Sequence, residues 1–209
     1  MPDGTKLLLI DNDAFILLAG GGHLEAAVVS LGFSLGQCRR LPTLPFIFDK
    51  KIARKLQPDE ASRVRAAIDT VGTLEDDVRG DVRSRFVDKP EIDAGEVVLF
   101  SALASSGAAL LSTNDKRAMK AVASLASDPP QGGVAGRVIC CESIIKKLVI
   151  QHGVATIGPG FAGMGTTNAA MNVCFSQACL ADQSQCIAAL DSYINELERT
   201  CGAGFLYTP

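Results

Sequence analysis

Residues 108–126 read AALLSTNDKRAMKAVASLA, and the rest of the chain is best understood outward from them. Ala108 to Ser112 is a short, uncharged run of the kind that forms a strand buried on both faces. Thr113 and Asn114 carry side-chain oxygens suited to capping a helix, and Asp115 to Ala126 reads as that helix. The same grammar occurs at Leu7-Leu8-Leu9-Ile10, where an apolar run is followed by Asp11-Asn12-Asp13. It occurs again at Val134 to Cys141, a third strand followed by a helix from Glu142 to Gln151. Strand and helix alternating with short links predict an α/β fold: a small parallel sheet with right-handed crossovers, flanked by helices.

The intervening segments fill in this frame. Residues 13–31 read as helix interrupted by Gly20-Gly21-Gly22, a turn signal that makes two helices of one. Residues 36–41 read as a short strand, and a helix from about Phe48 to Leu56 follows Pro42 and Pro45. Pro58-Asp59-Glu60 opens another helix that runs to Val71. Residues 73–90 are charged and carry no clear period, Asp93 to Ser105 reads as helix, and Asp128 to Gly133 as a loop. These elements assign 1–150 to one α/β core. Beyond it, glycines and small residues dominate through Thr167, and a long helix is expected from Asn168 to Cys201, broken near Asp182. Residues 151–209 thus read as a connector and a helical extension that packs on the core or on a partner.

Bulk properties exclude several classes. With 209 residues, 47% hydrophobic and 21% charged, the chain can bury a core and is not a disordered segment. A net charge of −3 gives no global basic footprint for nucleic acid. Local basic groups exist: Lys50, Lys51, Arg54 and Lys55 form one, and Arg79, Arg83 and Arg85 another. Each is also what an ordinary solvated helix face looks like. Seven cysteines, none in a C-x-x-C pair, fit the reduced thiols of a cytoplasmic protein and not a disulfide framework. Neither a signal peptide nor a membrane span is expected.

Three acidic clusters stand where one element meets the next: Asp11 with Asp13, Asp93 with Glu96, and Asp115 beside Thr113 and Asn114. Each has an ordinary explanation. Asp93 and Glu96 have the spacing of a capping box, and Asp11, Asp13 and Asp115 suit helix first turns. Their placement adds something. Asp11 and Asp115 follow apolar strands, and parallel strands present their following loops at one edge of the sheet. Crowded carboxylates repel one another and favour either a proton or a hard divalent cation. A cluster of three or four such acids could hold one or two Mg²⁺ ions, and the candidates are Asp11, Asp13, Asp93, Glu96 and Asp115.

The ordered motifs Leu-Leu-Ile-Asp11, Ile-Asp93-Ala-Gly-Glu96 and Leu-Leu-Ser-Thr113-Asn114-Asp115-Lys116 resemble the PIN-like nuclease family over residues 6 to 150. The resemblance implies a small parallel sheet flanked by helices and a Mg²⁺- or Mn²⁺-dependent ribonuclease activity. It places the catalytic, metal-binding acids at Asp11, Glu96 and Asp115. Asp13 and Asp93 stand close by, and Thr113 and Asn114 are the polar company of the last acid. It implies RNA as substrate and, in members that are toxins, a protein antitoxin as partner; self-association is also expected of such a domain. The family usually carries a further glutamate after its second strand. Here Arg40-Leu41-Pro42-Thr43-Leu44-Pro45-Phe46 has no acid, and Asp49, Glu60 and Glu75 are the substitutes on offer. The alternative is a catalytically silent PIN-like module that binds RNA or protein.

Two other motifs carry weaker readings. Asp11-x-Asp13 after a strand, with Ser112 or Thr113 and Lys116 or Lys120 downstream, is similar to phosphatases of the haloacid dehalogenase type. Ala14-Phe15 replaces the glycine-threonine expected there, and only Glu142 serves for the late acidic pair. Gly158, Gly160 and Gly163 match G-x-G-x-x-G, but outside the strand–turn–helix context that a dinucleotide site needs. His23 and His152 have no ligand-spaced partners and read as packing or capping residues.

Overall fold

The computed structural model describes residues 6–75, 80–87, 89–105, 109–125, 134–166 and 168–209. The loop expected at Asp128 to Gly133 and the basic residue Arg79 lie outside the described residues. Five strands, β1 (Leu7–Ile10), β2 (Cys38–Arg40), β3 (Gly72–Thr73), β4 (Ala109–Thr113) and β5 (Val138–Cys140), form one all-parallel sheet in the order β3-β2-β1-β4-β5. The predicted α/β class and parallel sheet are thus what the chain adopts. In β1, β4 and β5 every residue is buried, which is why their sequences are apolar without alternation. The period-2 pleat still sorts them by face. Leu8, Ile10, Leu110 and Ile139 point into one hydrophobic layer, and Leu7, Leu9, Leu111 and Val138 into the other.

The crossovers are helical. The glycine triplet does divide one helical stretch into α1 (Asn12–Gly20) and α2 (Leu24–Ser30), which bend by 112° to each other. The single helix expected from Phe48 to Leu56 begins earlier and is a composite: α3 (Leu44–Ile47), one π-helical turn (Phe48–Ile52) and a 3₁₀ turn (Ala53–Lys55). The widened turn buries Phe48 completely while Asp49, Lys50 and Lys51 flank it at the surface. The chain continues through α4 (Pro58–Thr70) and α5 (Gly80–Val87) to α6 (Ala94–Ser105). The C-terminal side of the sheet is served by α7 (Lys116–Leu125) and α8 (Cys141–His152). Among the described residues no single helix is long and apolar enough to cross a membrane.

The small-residue stretch after Gly153 is not an irregular connector. It is helix α9 (Val154–Gly163), followed by a 3₁₀ turn (Met164–Thr166), α10 (Ala169–Cys174), α11 (Gln177–Ala181) and α12 (Gln183–Cys201). The expected break near Asp182 is present, since its carboxylate caps α12 by accepting the Ser184 N–H at 2.9 Å. A further break precedes α11. These helices share one hydrophobic layer with the sheet: Ile157, Phe161, Met171, Cys174 and Leu190 cluster with Leu8, Phe15 and Ile145. The glycines of G-x-G-x-x-G are contact points of α9. A methyl on Gly160 would run into the backbone carbonyl of Gly21, one on Gly163 into the Glu60 carboxylate and one on Gly158 into Leu180. His23 stacks at 5.2 Å on Phe161 in the same contact, the packing role expected of it. After α12, Leu206 bridges Val138, and the Tyr207 N–H donates to the Val138 carbonyl at 2.7 Å.

Gly160→Ala should therefore cost ~1–3 kcal/mol by forcing α9 off the α1–α2 turn, since a backbone carbonyl cannot swing aside. Gly36→Ala, whose methyl meets nothing nearer than Ser34 Oγ at 3.8 Å, should stay within about 0.5 kcal/mol. Urea unfolding of both variants measures the difference, and equal midpoints would show that the α9 contact is not tight.

Candidate metal centre

The sheet order reverses direction at β1. The chain builds outward to β2 and β3 on one side, and to β4 and β5 on the other. The crevice beyond the carboxyl ends of two strands that diverge in this way is where open α/β sheets place their ligands. Here those strands are β1 and β4. They pair from Leu7 opposite Ala109 to Ile10 opposite Ser112, and the Asp11 N–H extends the ladder by donating to the Ser112 carbonyl at 2.9 Å.

Asp11 is the residue that leaves β1, only 9% exposed. Its Oδ1 accepts the Asn12 N–H at 2.7 Å. Its Oδ2 accepts the Thr113 hydroxyl at 3.3 Å, across 102 residues of chain. The Thr113 Oγ1 in turn accepts the Asp115 N–H at 3.1 Å, so one hydroxyl couples the exits of both strands. Asp115 caps α7: its Oδ1 accepts the N–H groups of Arg117 at 2.8 Å and Ala118 at 3.0 Å. Asp93 and Glu96 form the reciprocal capping box of α6, with Glu96 N–H to Asp93 Oδ1 at 2.8 Å and Asp93 N–H to Glu96 Oε2 at 2.7 Å. The capping box expected of Asp93 and Glu96 and the cap expected of Asp11 are present, whereas α7 is capped by Asp115 itself and not by Thr113 or Asn114, the residues expected in that role.

The same acids also feel one another. Burial, then Asp13, and more weakly Asp93 push the Asp11 carboxyl up to about 7, against the pull of the Asn12 N–H and the Thr113 hydroxyl. Asp13 is raised by partial burial, then by Asp115 and Asp93. Glu96 is pushed up to about 8, first by burial and then by Asp115, Asp93 and Asp11, while its hydrogen bond from the Asp93 N–H opposes the rise. Burial would raise Asp115 too, but the Ala118 and Arg117 N–H groups and the Arg117 guanidinium outweigh it and hold the carboxyl below its ordinary value. Each of the five acids thus lies within electrostatic reach of at least two others at one edge of the sheet. Arg117, whose side chain is 82% exposed, ion-pairs with Asp115 at 3.3 Å. Among the described residues no lysine or arginine pairs with Asp11, Asp13, Asp93 or Glu96.

A set of hard oxygen donors with surplus negative charge is the chemistry that a Mg²⁺ or Mn²⁺ ion matches. The Asn12 Oδ1 atom, buried beside Asp11 without a hydrogen-bond partner, adds one more such oxygen. The carboxylates are not closed around one point. Among the described residues no three His, Cys, Asp or Glu side chains are arranged to hold an ion as they stand, because four of the five acids are turned to their caps. The substitutes for the missing first-half acid have other settings. Asp49 pairs with Arg65 at 2.8 Å on the surface, Glu60 closes the capping box of α4 with the Gln57 N–H at 2.9 Å, and Glu75 is exposed.

One pair at this edge escaped notice in the sequence. Glu142, 1% exposed at the start of α8, lies 3.0 Å from the ammonium of Lys116, which also sits 4.3 Å from the centre of the Tyr193 ring. Its signal would have been an acid and a base opening the helices after adjacent strands β4 and β5. Lys116, the candidate phosphate-binding lysine of a phosphatase, is thereby engaged. All seven cysteines are free thiols, and six are buried. No family model, no curated protein and no solved structure matches the chain.

Two outcomes are expected. Raised carboxyl pKa values mean that the folded form keeps protons on Asp11 and Glu96 that the unfolded chain releases near pH 4. Their contribution to stability is therefore full below about pH 4 and lost as pH rises through 7–8. In EDTA, Asp11→Asn should gain in Tm relative to the parent between pH 5 and pH 8, at ~2–4 °C per kcal/mol. Mn²⁺ should raise the parent's Tm more at pH 8 than at pH 5; a Tm indifferent to Mn²⁺ at both would speak against a cation site. Separately, Asp93→Asn keeps the cap and should stay within about 0.5 kcal/mol of the parent, while Asp93→Ala should cost ~1 kcal/mol. If both cost the same in thermal unfolding, the charge of Asp93 matters beyond capping.

Proposed function

We propose that the chain is a divalent-cation-dependent ribonuclease with a PIN-like core. The observation that carries this reading is the set of five mutually repelling carboxylates gathered where β1 and β4 diverge, four of them without a protein cation. The all-parallel sheet flanked by helices supports the family resemblance of the motifs around Asp11, Glu96 and Asp115. These three acids would hold Mg²⁺ or Mn²⁺, with Asp13 and Asp93 adding negative charge and Thr113 and Asn114 framing the last acid. A bound ion supplies Lewis acidity toward a phosphodiester oxygen and lowers the pKa of water.

The chain's own residues prepare that chemistry. The Thr113 hydroxyl fixes the Asp11 carboxylate and ties its position to that of Asp115. Burial raises the Asp11 and Glu96 carboxyls, so cation uptake is coupled to proton release and strengthens as pH rises. Glu96 and Asp115 each leave a cap to become ligands, which sets a modest cost against binding.

A second reading has its own observation. Asp49 is paired with Arg65, Glu60 is held in its capping box and Glu75 is exposed, so on this reading the fourth acid of an active PIN site is not supplied and the domain would bind RNA without cutting it. Incubation with single-stranded RNA and Mn²⁺ or Mg²⁺ separates the two. The ribonuclease reading expects cleavage that EDTA abolishes and that Asp11→Asn lowers by at least ~100-fold, the scale of losing one key electrostatic group. Equal cleavage by parent and Asp11→Asn would end it, and salt-sensitive binding without cleavage would favour the silent module.

A further inference from the structure

Beside the acids lies a cleft of about 240 Å³ that shares one wall with the cation reading and is otherwise unused by it. Asp13 and Asn114 form the wall it shares with the acidic edge. Ile16 and Leu17 of α1 and Ile52 of the π-helical turn give it apolar surface. Lys55 and Asn168 complete the lining. Lys55 is exposed, and among the described residues no acid pairs with it. The Asn168 Oδ1 is occupied in capping α10, where it accepts the Ala170 N–H at 3.0 Å, so its amide N–H groups are what it can offer a ligand. The Asn114 amide makes no side-chain hydrogen bond among the described residues.

A ligand that matches this lining has an apolar face, polar edges with both donors and acceptors, and one anionic group. It must also extend toward a cluster that acts on phosphodiesters. A nucleotide has all of these. The cleft is smaller than the ~300–1,000 Å³ of pockets that take drug-sized molecules, which suits one base and its sugar and leaves no room for a base pair. Bases are offered in this way by single-stranded RNA, whose unstacked rings can be taken up edge and face. Lys55 belongs to the exposed basic run Lys50, Lys51, Arg54 and Lys55, whose charge favours a polyanionic ligand.

We propose that the cleft holds the nucleotide next to the scissile phosphodiester of single-stranded RNA. The phosphate of that nucleotide lies on Lys55, its base lies against Ile16, Leu17 and Ile52, and its edges are read by the amides of Asn114 and Asn168. This assignment rests on the acids being a phosphodiesterase site. Lys55 is a binding residue in it and not a catalytic one.

The test is Lys55→Gln, a change at an exposed residue that leaves the fold and the acids alone. Steady-state cleavage of a labelled single-stranded RNA in Mn²⁺ should show KM raised ~3–10-fold with kcat unchanged. The slope of log kcat/KM against log salt should become shallower by ~0.7, the value for one phosphate on a single strand. Anisotropy of the same RNA in EDTA should show weaker binding by the variant, and a duplex of the same sequence should bind more weakly than the strand to the parent. Unchanged KM and slope in a protein that cleaves RNA would overturn the cleft assignment and leave the nuclease reading intact. Absent cleavage with binding still weakened by Lys55→Gln would reject the nuclease reading and keep the cleft as a nucleotide site. Binding unaffected by Lys55→Gln in a protein that does not cleave, or duplex bound as tightly as single strand, would overturn it.

Discussion

The pairing of β1 with β4 is the constraint on which the rest depends. It joins residues about a hundred positions apart, from Leu7 against Ala109 to Ile10 against Ser112. Closing a loop of that length costs about 4 kcal/mol in chain entropy before any contact repays it. What offsets it is burial on both faces, since each strand contributes leucines alternately to two separate hydrophobic layers. The register is specified for the same reason: a slip of one residue would exchange the two layers. The exit of each strand is thereby fixed, and with it the meeting of Asp11, Thr113 and Asp115.

The acids at that exit serve two ends that compete. As caps, Asp11, Asp93, Glu96 and Asp115 satisfy the free N–H groups at the starts of α1, α6 and α7. As a group they repel, and burial around Asp11 and Glu96 turns that repulsion into proton uptake. A proton and a divalent cation relieve the same strain, so the two are alternatives. The arrangement is most stable where a cation is least welcome, at low pH, and most receptive where it is electrostatically least comfortable.

The sheet and the acidic edge were legible because both are written in local patterns. Apolar runs ending in Asp11 and in Thr113-Asn114-Asp115 mark strand exits, and parallel strands must share an edge. The capping box at Asp93 and Glu96 was readable from spacing alone. Residues 48–55 were read as plain helix because a π-helical turn differs from an α-helix by one residue, and no sequence period reports that. Residues 153–167 were read as a connector because glycine raises the cost of a helix, and what lowers it again, the fit of Gly160 against Gly21, involves a partner far away in the chain. The Glu142–Lys116 pair was missed for a related reason: each residue opens its own helix, and only the adjacency of β4 and β5 brings them together.

The bridge from Leu206 to Val138 has a consequence for encounters with other proteins. A parallel sheet with a bare flank invites a foreign strand to join it through main-chain hydrogen bonds. Here one flank is β3, two residues long, and the other is β5, whose three residues are all buried and whose Val138 carbonyl is taken by Tyr207. Among the described residues neither border is a long bare strand. Contact with another protein through the helical exterior would instead meet side chains such as the exposed Val29, Ile150 or Val173, where surface shape and chemistry set selectivity.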